Sequence, residues 1–207
     1  MPDVKDIQEI CGRLDRGEID RDQFFELLTR AVADLIACTR CGVWIFIDTA
    51  EGRALRCMAM YDRRVDRIVG AADMLNAAFG PYFEALVTEG CVNAADARHH
   101  PATAAFVDDY LRPLDLHSVL DVCFSVNGVP FGTFSCEQAG APVVWTQRQL
   151  QLLRQVGSRA SLALLHAATA NPETQPASLW EPSSPNRLLT MPSPLDSDDE
   201  PQRRDPS

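Results

Sequence analysis

The chain has 207 residues, 46% of them hydrophobic, and carries a formal net charge of −10. This composition suffices for one globular domain with extensions, and the acidic balance argues against a nucleic-acid partner because phosphate binding needs clustered cations. No apolar run approaches the roughly 20 residues of a membrane-spanning helix, and the start lacks signal-peptide features, so we expect a cytoplasmic protein that does not enter membranes.

Two helices are predicted at the start of the chain. The first covers residues 3–16, within an N-terminal helical extension that we place at residues 1–19. The second begins at Asp20, which forms a capping box with Gln23, and continues to about Ala37 with apolar residues at helical spacing.

A hairpin and a mixed region follow. Apolar, β-prone runs at 42–48 and 54–61 predict two paired strands, and the polar stretch 62–73 indicates a loop. Next come a helix starting near Pro81, a short strand at 91–93, a loop at 94–100 and another short helix at 102–112.

The stretch from Ser118 to Glu137 predicts a second hairpin, because two apolar runs flank an Asn-Gly pair at 127–128. If Val126 pairs with Val129, the predicted register pairs Phe124 with Phe131, Val122 with Thr133 and Leu120 with Ser135 on an apolar face. On the other face, Cys123 would meet Gly132, Asp121 would meet Phe134, and Val119 would meet Cys136. This second face carries a carboxylate, two thiols and a glycine, and this asymmetry is where a functional argument starts.

A second capping box, Thr146 with Gln149, begins a long helix that ends near residue 168. The remaining segment, 169–207, holds eight of the fourteen prolines, many serines and an acidic cluster. Such a composition buries too little apolar surface to repay the entropy of ordering, which predicts a disordered tail.

Several motifs in this order resemble the GAF domain family over residues 20–168. They are Arg40-x-x-x-Trp44, Pro81-Tyr82-Phe83-x-Ala85-Leu86, Asp96-Ala97-Arg98, Phe106-x-x-x-Tyr110-Leu111, Ser118-Val119-Leu120-Asp121-Val122, Gly128-x-x-x-Gly132, Glu137 and Trp145-Thr146. The resemblance implies an α+β fold with a central antiparallel sheet. Terminal helices would cover one face of the sheet, and short helices and loops would close a pocket on the other. The second face of the second hairpin, with Asp121 and Cys123 opposite Phe134 and Gly132, would then be the floor of this pocket.

The resemblance does not identify a ligand or cofactor. His100 stands where the family usually has a second aspartate, and Cys123 stands where proline usually follows the strand's Asp-Val. Lys5 is the single lysine, which disfavours the cyclic-nucleotide signature, and no Cys-His pair is present for bilin attachment.

We therefore expect a non-enzymatic sensory domain that binds a small molecule or a signalling protein. We chose the predicted ligand-binding residues because each lies on the expected pocket side of the sheet or on a helix or loop beside it. They are Tyr82, Asp96, Arg98, Phe106, Tyr110, Asp121, Cys123, Phe134 and Cys136. A homodimer through the terminal helices is also expected, from a stripe at Leu150, Leu153, Val156, Ala160 and Leu164, although the same stripe is equally suited to packing on its own sheet.

Two alternatives stay open. A thiol-based redox enzyme or sensor similar to free methionine sulfoxide reductases would need Cys57, Cys91, Cys123 and Cys136 to cluster around the pocket, whereas buried cysteines are most often small core residues. A pure interaction module would have a filled pocket. Metal binding by His99, His100 or His117, or by the single Cys-x-x-Cys pair at 38 and 41, is not expected.

Overall fold

The computed structural model describes residues 4–126 and 128–170. Seven strands form one antiparallel sheet in the order β3-β2-β1-β7-β6-β5, and β4 pairs with β2. The strands are β1 (Arg40–Thr49), β2 (Gly52–Asp62), β3 (Arg67–Val69), β4 (Met74–Leu75), β5 (Cys91–Ala94), β6 (Leu116–Val126) and β7 (Val129–Ala139). The helices are α1 (Val4–Asp15), α2 (Arg21–Ile36), α3 (Gly80–Thr88) and α4 (Gln147–Ala170).

Both predicted capping boxes are present. In the box that begins α2, the Gln23 amide donates to Asp20 Oδ1 at 2.8 Å and the Asp20 amide donates to Gln23 Oε1 at 3.1 Å. At α4, the Thr146 amide donates to Gln149 Oε1 at 2.8 Å. Each box satisfies amide groups that have no partner inside the helix, which is why such local sequence patterns mark helix starts reliably.

The sheet has two differently covered faces, and the predicted α+β architecture is confirmed. Helices α1, α2 and α4 pack on one face, which we call the helix face, in a core that includes Phe24, Phe25 and Leu153. The opposite face, which we call the pocket face, is covered by α3 and by residues 101–111, the covering segment. Helix α1 contacts both α2 and α4, so the predicted extension belongs to the helix-face core.

The register of the second hairpin differs from the prediction beyond its first two pairs. Val126 lies opposite Val129 and Ser125 lies opposite Pro130 as expected, and the Asn127 part of the turn lies outside the described residues. A bulge then adds one residue to β7, so the predicted pairing of Phe124 with Phe131 is wrong. The observed partners are Phe124 with Gly132, Val122 with Phe134, Asp121 with Ser135 and Leu120 with Cys136.

This bulge reverses the predicted faces of β7. Phe134 and Cys136 lie in the helix-face core, whereas Thr133, Ser135 and Glu137 alternate with them and point to the pocket face. The predicted faces of β6 are correct, because Leu120, Val122 and Phe124 all lie in the helix-face core.

The short helix predicted over 102–112 is present as a 3₁₀ turn (Pro101–Phe106) followed by a π-helical turn (Val107–Leu111), which together form the covering segment. One further local prediction is wrong. Residues 62–73 are not loop throughout, because β3 pairs with the end of β2. Three residues at a sheet edge carry too little periodicity to be recognised in a sequence.

The stripe on which the dimer prediction rested is buried within the chain itself. Leu150, Leu153, Val156, Ala160 and Leu164 all belong to the helix-face core, where α4 packs against β6. Dimerisation therefore stays a prediction that needs other surface residues. The predicted disordered tail, residues 169–207, lies almost entirely outside the described ranges. Within the described ranges, no helix is both long enough and apolar enough to cross a membrane.

Gly132 in β7 lies so close to the backbone of β1 that it leaves no room for a side chain, and this generates a stability prediction. A Cβ atom at this position would lie 2.3 Å from the Trp44 carbonyl oxygen and 2.7 Å from the Phe124 ring, so Gly132→Ala should lower the free energy of unfolding by at least about 1 to 3 kcal/mol. Gly12→Ala, in helix α1, would meet only the flexible Arg16 side chain and should be neutral or stabilising by about 1 kcal/mol. Urea unfolding of both variants checks this, and equal stabilities would contradict the close approach.

Candidate functional site

The pocket face carries a layer of stacked aromatic side chains between the sheet and its cover. Phe79 and Phe106 stack with ring centroids 4.5 Å apart, and Tyr82 meets Phe106 edge to face at 5.0 Å. Trp44, from strand β1, is 4% exposed in the same cluster. These contacts are favourable aromatic geometries, and they fill most of the space beneath the covering segment.

Asp121 lies at the centre of this face and is 2% exposed. The Tyr82 hydroxyl donates to its Oδ2 atom at 2.6 Å. Burial raises the pKa of Asp121 to about 7, although the nearby hydroxyl groups of Ser135 and Tyr82 favour the ionised form. The Oδ1 atom nevertheless has no hydrogen-bond partner of acceptable geometry among the described residues.

Trp44 provides a second buried polar atom without a partner. Its indole Nε1 is buried and makes no hydrogen bond within the described part of the chain. Gly42 makes room for this ring, because a Cβ there would lie 2.9 Å from Nε1 and 2.5 Å from the end of Met60. A third such atom, Arg40 Nε, lies beside the aromatic layer. A buried donor or acceptor without a partner costs about 1 to 3 kcal/mol, so this accumulation is unusual.

A buried ion network borders the aromatic layer at the end of β1. Arg40 Nη1 donates to Glu137 Oε2 at 2.7 Å, and Arg40 Nε lies 3.2 Å from Asp62 Oδ2. The Tyr110 hydroxyl donates to Glu137 Oε1 at 2.7 Å and accepts from Arg40 at 3.1 Å. Burial, with the charge of Glu137, raises the pKa of Tyr110 well above its usual value, so Tyr110 stays protonated. This network fixes the covering segment to three strands.

The structure brings together part of the predicted site. Four of the predicted residues lie on the pocket face: Tyr82, Phe106, Tyr110 and Asp121. Cys123 comes two residues after Asp121 on the same side of β6, where it is half buried near Arg53. Phe134 and Cys136, which were placed on this face, lie instead in the helix-face core because of the bulge in β7. Our assignment of these two residues to the pocket floor is wrong.

Asp96 and Arg98 lie on a surface loop beside the covering segment. The Asp96 carboxylate is mostly exposed and lies 2.8 Å from His99 Nδ1. Arg98 donates through Nε to the Leu116 carbonyl at 2.7 Å and through Nη2 to Asp115 at 3.1 Å. The described partners of both side chains hold the loop itself, and none of them belongs to the aromatic layer.

Sequence reasoning missed the polar side chains of β7 and the buried indole donor of Trp44 in β1. Trp44 was visible in the Arg40-x-x-x-Trp44 motif, but the motif does not show which side of the sheet it faces. Thr133, Ser135 and Glu137 form an alternating polar set, which is the signal of a strand with one polar face. That signal was assigned to the wrong face because the bulge was not foreseen.

The four cysteines considered for redox chemistry do not cluster. Cys57 is on the pocket face and Cys123 is near it, whereas Cys91 and Cys136 pack on the helix face. Burial raises the pKa of Cys57 to about 12 and that of Cys123 to about 11, which disfavours the reactive thiolate. In the described ranges, no group of three or more histidine, cysteine or acidic side chains is arranged to hold a metal ion.

An open groove of about 600 Å³ runs along the outer side of helix α3. Its lining includes Arg53, Phe83, Glu84 and Val87. The Arg53 guanidinium lies over the Phe46 ring at 4.5 Å, so this cation covers the apolar end of β1. The groove is distinct from the aromatic site, because neither Asp121 nor Tyr82 is among the residues that line it.

Comparison with known proteins identifies the fold. The chain is similar to the GAF domain of the cyanobacteriochrome TePixJ (22% identity, TM-score 0.56), and the match covers 72% of this chain and 92% of that one. It is also similar to the GAF domain of an Acinetobacter phosphoenolpyruvate-protein phosphotransferase (15% identity, TM-score 0.62), and this match covers 81% of this chain and 94% of that one. A third match is the phycoerythrobilin-bound GAF domain of a cyanobacterial phytochrome (13% identity, TM-score 0.63), which covers 81% of this chain and 97% of that one.

A search of curated protein sequences found no match. The GAF domain model matches residues 20–164, which is more than two thirds of the chain. Together with the antiparallel sheet, its terminal helices and the covered opposite face, this match shows that the chain belongs to the GAF domain family.

Proposed function

We propose that this GAF domain is a non-enzymatic sensory domain that binds a small molecule over Asp121 on the pocket face. The observation that carries the proposal is the pair of buried atoms without partners, Asp121 Oδ1 and Trp44 Nε1. A ligand that presents an N–H or O–H group to the carboxylate and an acceptor to the indole would satisfy both.

The surrounding side chains favour a planar ligand. Phe106, Tyr82 and Trp44 offer ring faces and edges, and the adjoining floor carries the hydroxyl groups of Thr133 and Ser135. Small-molecule sites typically combine such apolar walls with a few directed polar groups. Since the aromatic layer is closed in this state, we expect binding to displace Phe106, which sits at the junction of the two short turns of the covering segment.

Several structural neighbours come from proteins with sensory roles. They include a cyanobacteriochrome, a phycoerythrobilin-bound phytochrome domain and a methyl-accepting chemotaxis protein. These neighbours support a sensory role for this chain, whereas the ligand is inferred only from its own residues. A cytoplasmic location and a homodimer remain parts of the proposal, and Leu162 of α4, 57% exposed, is an apolar residue available at the outer surface.

One observation favours a second function, a protein-interaction module whose pocket face is permanently filled. The stacking of Phe79 on Phe106 and the edge contact of Tyr82 leave the aromatic layer well packed without any ligand. Such a domain would bind its signalling partner at the surface and would show no response to small molecules.

Ligand screening separates the two functions. We expect thermal-shift screening of nitrogen heterocycles and other planar metabolites to find compounds that raise the midpoint of the wild-type protein. Asp121→Asn keeps an acceptor for Tyr82 but removes the charge, and should weaken binding at least about 10-fold, as expected for a hydrogen bond to a charged group. Asp96→Asn, on the surface loop, should retain binding. A screen without any hit favours the interaction module, and hits that tolerate Asp121→Asn remove Asp121 from the site.

The pKa of Asp121 gives a pH prediction that is independent of any ligand. Because burial raises this pKa to about 7, the folded protein holds a proton that the unfolded chain, with an ordinary aspartate pKa near 4, releases. The contribution of this carboxyl to stability is therefore present below about pH 4 and is lost as the pH rises through about 7, by up to roughly 4 kcal/mol.

Asp121→Asn removes this titration. When the pH is raised from 5 to 8, the difference in unfolding free energy between the two proteins should therefore shift in favour of the variant. Urea unfolding at the two pH values measures the difference between the proteins. The exposed carboxylate of Asp66 serves as the control, because its pKa is lowered by hydrogen bonds from Arg30 and Tyr61, whose charges do not change between pH 5 and pH 8. Asp66→Asn should therefore change stability equally at both pH values. A pH-independent effect of Asp121→Asn would show that Asp121 is ionised throughout.

A further inference from the structure

The covering segment is anchored near both of its ends. On the first side, the Thr103 hydroxyl donates to the Ala97 carbonyl at 2.5 Å. Just beyond the other end, Arg64 Nη1 donates to the Leu114 carbonyl at 2.9 Å. If the segment moves relative to the sheet, the part that moves is therefore the stretch between these anchors, residues 104–111.

Tyr110 fastens this middle stretch to the sheet. Its hydroxyl donates to Glu137 Oε1 at 2.7 Å and accepts from Arg40 Nη1 at 3.1 Å. Within the described residues, no other side chain between 104 and 111 makes a hydrogen bond to the sheet. Both partners of the hydroxyl are charged, and hydrogen bonds to charged groups are stronger than those between neutral groups.

The same contacts leave Tyr110 with little to offer a ligand. A phenol has one proton to donate, and Tyr110 gives it to Glu137. The ring lies 5.5 Å from the Arg40 guanidinium and meets the Phe106 ring at 6.5 Å. Tyr110 was predicted as a ligand-binding residue, but its contacts are those of a residue that holds the cover in place.

Phe106 and Tyr110 are coupled to each other through the covering segment. They are four residues apart on consecutive short turns, and their rings are in edge contact. The turn that carries Tyr110 (Val107–Leu111) is π-helical, a rare conformation that frequently lies at functional sites. A ligand that displaces Phe106 would therefore also draw the Tyr110 hydroxyl away from Glu137.

We propose that the Tyr110 hydroxyl, with its partners Arg40 and Glu137, is a latch that keeps the covering segment closed over Asp121 and thereby controls ligand entry. The inference rests on the proposed function, because it concerns access to the same site. When a ligand binds only the open form, the apparent dissociation constant equals the intrinsic constant divided by the open fraction. The latch thus lowers the affinity of the site without touching the ligand.

Tyr110→Phe removes the latch and little else. The ring stays, and with it the contacts to Phe106 and to the Arg40 guanidinium. The ion pair of Arg40 with Glu137, 2.7 Å between Nη1 and Oε2, does not involve the hydroxyl and is retained. Circular dichroism confirms that the variant is folded.

Tyr61→Phe is the matched control, because it removes a hydroxyl from similar surroundings on the opposite face of the sheet. The Tyr61 hydroxyl donates to Asp66 Oδ1 at 2.9 Å, and the Arg30 guanidinium lies 4.5 Å from the ring. Tyr61 packs in the helix-face core, away from the covering segment.

Hydrogen exchange of the ligand-free proteins, followed by mass spectrometry, tests the latch directly. In Tyr110→Phe, the backbone amides of residues 101–114 should exchange at least about 10-fold faster than in the wild type, as expected for a lost hydrogen bond to charged groups. The amides of β6 should keep their wild-type rates, which separates opening of the segment from a general loss of stability. In Tyr61→Phe, residues 101–114 should exchange as in the wild type. Unchanged exchange of these residues in Tyr110→Phe would overturn the latch.

Calorimetric titration with a planar heterocycle that raises the thermal midpoint of the wild type tests the role of the latch in binding. Tyr110→Phe should bind this compound up to about 10-fold more tightly than the wild type, because a larger fraction of the molecules is open. Tyr61→Phe should bind it as the wild type does. Loss of a residue that touches the ligand or merely supports the site would weaken binding, so equal or weaker binding by Tyr110→Phe contradicts the proposal.

The two measurements distinguish failure of the latch from failure of the site. A screen without any hit overturns the ligand site, and with it the role of the latch in binding. Unchanged exchange of residues 101–114 in Tyr110→Phe, together with a bound ligand, overturns the latch alone.

Discussion

The buried guanidinium of Arg40 is the interaction on which the pocket face depends. A cation with 3% exposure is tolerated because Glu137 and Asp62 neutralise its charge, and Tyr110 accepts a further hydrogen bond from it. Removing one partner of such a buried pair typically costs about 3 to 5 kcal/mol, since the other charge is left without compensation. The network thus joins β1, β2 and β7 and fixes the cover above the aromatic layer.

Local sequence signals predicted the local parts of this structure. The capping boxes at Asp20 and Thr146 involve residues three positions apart, so their geometry does not depend on the rest of the chain. The Asn-Gly turn likewise determined the first two pairs of the second hairpin. Beyond them the register depends on a bulge at Phe131, next to Gly132, which lies close to the Trp44 carbonyl on a neighbouring strand. Such a long-range contact is not readable from a single sequence.

The candidate site divides in the same way. Asp121 was predicted because its strand alternates regularly, and Tyr82 and Phe106 because family motifs contain them. Ser135 and Trp44 were missed, since their positions depend on the bulge and on the face of β1.

The extra residue in β7 also has an evolutionary meaning. Strand side chains alternate between faces, so deleting one residue at the bulge would exchange Ser135 with Cys136 and Thr133 with Phe134. A phenylalanine would then enter the polar floor, and a hydroxyl would enter the helix-face core. Substitutions can alter these residues one at a time, but the length of β7 is constrained as a unit. Insertions and deletions should therefore be far rarer in β7 than in the loops at its two ends.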